Sequence, residues 1–96
     1  MNVLNEMLEA VTIGTMPYDD FLFFEDSLLG EYELAVSWQD SSDTLAHLLL
    51  NLFLAIKAAN TKQAGAQPIG KYIDSCEMAQ YWKAKALERY KNQTVA

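Results

Sequence analysis

A chain of 96 residues, 51% hydrophobic and 21% charged, holds one domain with one core, and this composition argues against disorder. Thirteen Asp/Glu against seven Lys/Arg give a net charge of −6, which argues against nucleic acid and against an anionic membrane surface as ligands. The single cysteine, Cys76, excludes an intrachain disulfide.

The opening residues, Met1 to Glu6, lack the basic and long apolar regions of a signal peptide. The most apolar stretch, Leu45 to Ile56, is interrupted by His47 and Asn51 and falls short of the roughly 20 residues of a membrane span. The expectation is a cytoplasmic protein, a single helical domain over 1–96 with no membrane contact.

The first helix is predicted from Val3 to about Thr12. Leu4, Met7, Leu8 and Val11 repeat at the spacing of one helix face, Asn2 can cap the start, and Gly14 is a plausible stop. The second is predicted as one helix from Tyr18 to Asp40. Thr15 or Met16 occupies the cap region, Pro17 suits the first turn, and Asp19 and Asp20 suit the positive end of the helix dipole. Its columns Phe21/Leu28/Ala35 and Leu22/Leu29/Val36 are apolar and are expected to be buried. Asp19, Asp26, Glu33 and Asp40, spaced seven apart, stack as a column of acid on the solvent side. Gly30 is the weak point, costing about 1 kcal/mol relative to Ala; the helix continues through it or kinks there. Tyr32, Leu34, Val36 and Trp38 also alternate with Glu33, Ala35, Ser37 and Gln39. The alternative is therefore an α+β fold with a hairpin in 20–39.

Asp40-Ser41-Ser42-Asp43 reads as a break and a cap. The third helix follows from about Asp43 to Lys62, with only a thin polar stripe of Asp43, His47, Asn51 and Lys57. A helix apolar nearly all round belongs at the centre of a core or inside an oligomer. The segment Ala64 to Gly70 is the clearest loop. The fourth helix is predicted from about Lys71 to Lys91. Ile73, Cys76, Ala79, Trp82, Ala86, Leu87 and Tyr90 lie on its inner side, and Lys83, Lys85, Arg89 and Lys91 crowd its last turns. No internal repeat is legible. The expected architecture is all-α, a compact bundle of about four helices, assembled as a homo-dimer that is intertwined if the third helix needs a second copy to cover it.

Charge divides the chain. Residues 1–60 carry ten Asp/Glu and one Lys, net −9; residues 61–96 carry six Lys/Arg and three Asp/Glu, net +3. The acidic column is either a solvated face that keeps a small apolar protein soluble or a face for a basic protein partner. In the second reading Asp19, Asp26, Glu33 and Asp40 supply attraction and orientation, and Phe23 and Leu34, on or near the polar side, supply anchors. The basic fourth helix interleaves Tyr72, Tyr81, Trp82 and Tyr90 with lysines, a mixture able to stack on and neutralise nucleic acid, but the acidic half opposes that. A simpler account is that this basic end meets the acidic helix, within the chain or across a dimer.

Little supports an active site. His47 shares a helix face with Asp43 and Asn51, but lacks a second His, a Cys at ligand spacing or a nucleophile nearby, and is read as a structural histidine. Cys76 is read as a buried thiol on the inner side of the fourth helix. Asp19-Asp20 and Glu25-Asp26 lack the spacing and central Gly of a calcium loop, and no phosphate-loop glycine pattern occurs. No metal, cofactor or enzymatic function is expected.

Asp26-Ser27-Leu28 resembles the Asp-Ser-Leu of acyl carrier proteins, a likeness shared in size, acidity and helical class. That resemblance implies a phosphopantetheine on Ser27. In size and charge alone the chain is similar to small acidic inhibitors such as nuclease-immunity and phage anti-defence proteins. Three functions are therefore expected in turn: a non-enzymatic, inhibitor-like protein that binds a basic partner, a homo-oligomeric assembly subunit, and a carrier modified on Ser27.

Overall fold

The computed structural model describes residues 3–37, 44–63 and 67–94, and every regular element among them is a helix. α1 (Val3–Ile13) buries Met7, Leu8, Ala10 and Val11 on the face that the spacing predicts. It stops at Gly14, which adopts a left-handed φ of 77° and donates its N–H to the Ala10 carbonyl at 2.8 Å. Only glycine takes that conformation without a Cβ penalty.

The expected single helix from Tyr18 to Asp40 is two helices. α2 (Tyr18–Phe21) ends in a turn at Leu22 and Phe23, and α3 (Phe24–Ser37) begins directly after it. At the turn, the N–H groups of Phe23 and Glu25 donate to the carbonyls of Asp20 and Leu22 at 3.2 and 3.1 Å, a three-residue step in place of four. Aromatic packing accounts for the step. Phe21 stacks on Phe53, with ring centroids 4.9 Å apart, and Phe24 meets Phe21 edge-on at 5.9 Å. Both rings reach the core because the turn re-aims the second one, and Phe23 is left outside. α3 runs unbroken through Gly30, so the hairpin alternative fails over 20–37. Trp38 and Gln39 lie outside the described residues, as does the predicted break and cap at Asp40 to Asp43.

α4 (Leu45–Gln63) is capped by Thr44, whose Oγ1 accepts the His47 backbone N–H at 3.3 Å. Leu45, Leu48, Leu49, Leu52, Phe53 and Ile56 are all buried. α1, α3, α5 and α6 all pack on α4, so it is the central helix. This coverage comes from one chain, which removes the burial argument for an intertwined dimer.

The expected fourth helix is also divided. α5 (Ile69–Asp74) and α6 (Glu77–Thr94) meet at Ser75 and Cys76, where the Cys76 N–H donates to the Ile73 carbonyl at 3.2 Å. α5 buries Ile69, Tyr72 and Ile73. α6 turns Ala79 and Ala86 fully inward, with Trp82, Leu87 and Tyr90 partly buried beside them. Small residues at the contact let α6 lie close to α4.

Long, short and long helices thus follow one another twice, α1–α2–α3 and α4–α5–α6. The loops before the two short helices clasp each other through an antiparallel bridge at Pro17 and Pro68. The N–H groups of Tyr18, Ile69 and Gly70 donate to the carbonyls of Gln67, Met16 and Gly14 at 3.0, 2.9 and 2.9 Å. Pro17 and Pro68 each stand immediately before a short helix, and Phe21 and Tyr72, four residues after them, are both fully buried. Buried Tyr72 meets the Tyr18 ring edge-on at 5.5 Å, and its hydroxyl accepts the Gln67 N–H at 3.2 Å. No helix among the described residues is long and apolar enough to cross a membrane.

Candidate partner-binding surface

α2 is only four residues long, yet it sorts its side chains cleanly. Tyr18 and Phe21 are buried, and Asp19 and Asp20 face solvent. The turn that follows projects Phe23, 83% exposed. α3 then presents Asp26, Ser27, Gly30, Glu33 and Leu34 on one exposed arc opposite the buried Leu28, and Leu34 is 56% exposed.

The sequence-derived surface residues Asp19, Asp26, Glu33, Phe23 and Leu34 are therefore all accessible, while Asp40 lies outside the described residues. They do not form one straight column, because the turn at Leu22 and Phe23 separates Asp19 from the register of α3. One apolar column also needs correction. Leu29 is exposed and Leu22 half-buried, because the buried arc of α3 centres on Leu28.

The acidic surface extends further than the sequence reading placed it. An open groove of about 530 Å³ runs between α1, the α1–α2 loop and the start of α3. Glu6, Glu9 and Asp20 line it together with Ile13, Met16 and Phe24. Ile13 is 61% exposed. Glu6, Glu9 and Ile13 share the side of α1 away from its core face, a pattern present in the sequence. Their meeting with Asp20 depends on the chain reversal at Gly14, which helical periodicity does not encode.

None of Glu6, Glu9, Asp19, Asp20, Asp26 and Glu33 has an ion pair among the described residues. Lys57, the one base in residues 1–60, is occupied by Glu25, with Nζ to Oε2 at 2.8 Å. The hydrogen bond to Glu25 holds the Lys57 ammonium above its ordinary value of 10.5, against the opposing effect of partial burial. Its charge also lies 5.8 Å from the Phe53 ring centre.

The expectation that the basic C-terminal helix meets the acidic helix within the chain does not hold for α3. α3 and α6 each pack on α4 and share little direct contact. On α6, Lys85 sits 5.6 Å from the Tyr81 ring centre, and both residues are exposed.

The remaining candidates fall elsewhere. His47 is half-buried with its ring 5.5 Å from that of Tyr32, and its carbonyl accepts the Asn51 side chain at 3.1 Å. Asp43 lies outside the described residues. Cys76 is not fully buried on the inner side of a continuous helix; the α5–α6 turn places it half-buried in the wall of a second open groove, about 650 Å³, with Leu54, Ala55, Met78 and Trp82. Ser27 is exposed in the first turn of α3. Among the described residues no three His, Cys, Asp or Glu side chains converge as a metal site. No protein-family model, curated protein or solved structure matches the chain.

Proposed function

We propose that this is a non-enzymatic, inhibitor-like interaction protein whose acidic surface covers a basic surface of a protein partner. The observation that carries the reading is the groove rimmed by Glu6, Glu9 and Asp20, three carboxylates without ion pairs among the described residues, with Phe23 turned outward after α2. An apolar floor with a charged rim suits a partner segment that places an apolar side chain, or the stem of a Lys or Arg, in the groove. Asp19, Asp26, Glu33 and Asp40 extend the field and orient the approach. Phe23 and Leu34 supply apolar anchoring at its edge.

Affinity capture tests the reading. The baits are wild type, a variant carrying Asp19→Asn, Asp26→Asn, Glu33→Gln and Asp40→Asn, and a second carrying Glu6→Gln, Glu9→Gln and Asp20→Asn. A basic protein held by wild type, weakened about tenfold or more between low and moderate salt, and lost by both variants is the expected result. Identical captures by all three baits would reduce the acid to a solubility device.

The competing reading is a homo-oligomeric assembly subunit. Exposed Leu29, Leu54 and Met78 favour it, since apolar side chains on an otherwise polar surface are candidates for self-contact. It predicts association that is indifferent to the acid-neutralising substitutions.

A further inference from the structure

The groove between α1 and the start of α3 has an order along its length. Glu6, Glu9, Ala10 and Ile13 follow the spacing of one helix face, so they run as a strip along the α1 wall. The strip is acidic at Glu6 and Glu9, dips at the small, buried Ala10 and ends apolar at Ile13. From Glu6 to Ile13 it is about 10 Å long. The loop leaves α1 at the apolar end and adds Met16, while Asp20 and Phe24 come from the facing side. No base lines the groove, and its three carboxylates have no ion pair among the described residues. Its charge therefore selects a cationic occupant, and its order selects one with an apolar end and a basic end about two helical turns apart.

The backbone decides the form of that occupant. The walls are helices, whose N–H and C=O groups are turned into their own hydrogen bonds. The loop between them has also spent its groups. The Gly14 and Met16 carbonyls accept the N–H groups of Gly70 and Ile69, the Pro17 carbonyl accepts those of Asp20 and Phe21, and Pro17 has no N–H. An extended segment would find no run of free backbone groups to pair with and would leave its own unsatisfied as it entered the groove. A helix arrives with its backbone already paired and offers only side chains.

We infer that this groove holds an amphipathic basic helix of the partner protein, with apolar side chains at i and i+3 toward Ile13 and Met16 and Lys or Arg at i+7 and i+10 toward Glu6 and Glu9. The inference rests on the proposed function and adds the conformation and side-chain order of the bound segment.

Titration of the whole, isotopically labelled protein with synthetic peptides, followed by amide NMR shifts, tests it. The first probe is an Ala-rich helical peptide with Leu at i and i+3 and Lys at i+7 and i+10. It should shift the signals of α1 and Phe24 and bind about tenfold more weakly at 300 mM than at 50 mM salt. A second peptide has the same composition but carries its lysines on the opposite helix face, and a third has two central prolines that break the helix. Both should bind at least about tenfold more weakly than the first. Glu6→Gln with Glu9→Gln, and separately Ile13→Ser, should each weaken the first peptide by about tenfold; all three positions are exposed, so the fold is retained. Equal binding of the proline peptide would make the occupant an extended segment, and equal binding of the second peptide would remove the side-chain order. Groove signals that move with protein concentration alone would make the occupant a second copy. Each of these results, or no shift with the first peptide at about 1 mM, would overturn the inference. A basic protein captured by wild type and lost by the acid-neutralised baits, with no preference for the helical peptide, would sink the helix and leave the proposed function standing. Identical captures by all baits would sink the proposed function itself.

Discussion

Gly14 and Gly70 touch backbone to backbone: the Gly70 N–H donates to the Gly14 carbonyl at 2.9 Å, and a Cβ on Gly70 would lie 2.8 Å from that oxygen. This contact ties the loop that precedes α2 to the first turn of α5. Gly70→Ala should force the start of α5 away from Gly14 and cost about 1–3 kcal/mol, an overpacking penalty against rigid backbone. Gly14→Ala should cost about 1–2 kcal/mol through its left-handed conformation. Urea denaturation of both variants checks this; an unchanged midpoint for Gly70→Ala would show that the clasp yields freely.

Phe21 and Phe23 are two residues apart with opposite fates. Phe21 is fully buried and stacked on Phe53, while Phe23 is 83% exposed. Phe21→Ala should cost about 3–5 kcal/mol by leaving a cavity. Phe23→Ser should change stability by no more than about 0.5 kcal/mol, yet weaken capture of a basic partner. Thermal melts and the capture assay read the two effects apart.

The Lys57–Glu25 pair contributes little, because its side chains are 39% and 38% exposed and water screens them. Lys57→Met should cost no more than about 1 kcal/mol at neutral pH. The folded state raises the Lys57 pKa, so the stabilisation is fully present below 10.5 and is lost as pH rises through the folded value. Denaturation midpoints of wild type and Lys57→Met should therefore converge at strongly alkaline pH. A gap that persists there would assign the effect to the lysine stem over Phe53.

Ser27 is accessible in the first turn of α3, so the carrier resemblance has a direct check. Co-expression with a phosphopantetheinyl transferase should leave the intact mass at that of the bare polypeptide. A mass increase abolished by Ser27→Ala would establish a carrier and displace the interaction reading.

Much of this fold was legible because helices are written locally. The spacing of Met7, Leu8 and Val11, the stop at Gly14 and the apolar wrap of Leu45 to Ile56 each describe one helix on its own terms, and the described residues bear them out. The exposure of Asp19, Asp26, Glu33, Phe23 and Leu34 was legible for the same reason, since each lies off the apolar stripe. The breaks at Leu22–Phe23 and Ser75–Cys76 were not, because no proline or glycine marks them. The first arises where Phe24 packs edge-on against Phe21 while Phe21 stacks on Phe53, and that demand comes from a helix distant in sequence. The sequence by itself determined which segments are helical, which helix is central and where charge accumulates. Only the tertiary structure decided that two of the expected helices bend, that the halves clasp at Gly14 and Gly70, and that Glu6, Glu9 and Asp20 rim one groove. Periodicity acts over a few residues, whereas those three outcomes depend on contacts between distant parts of the chain.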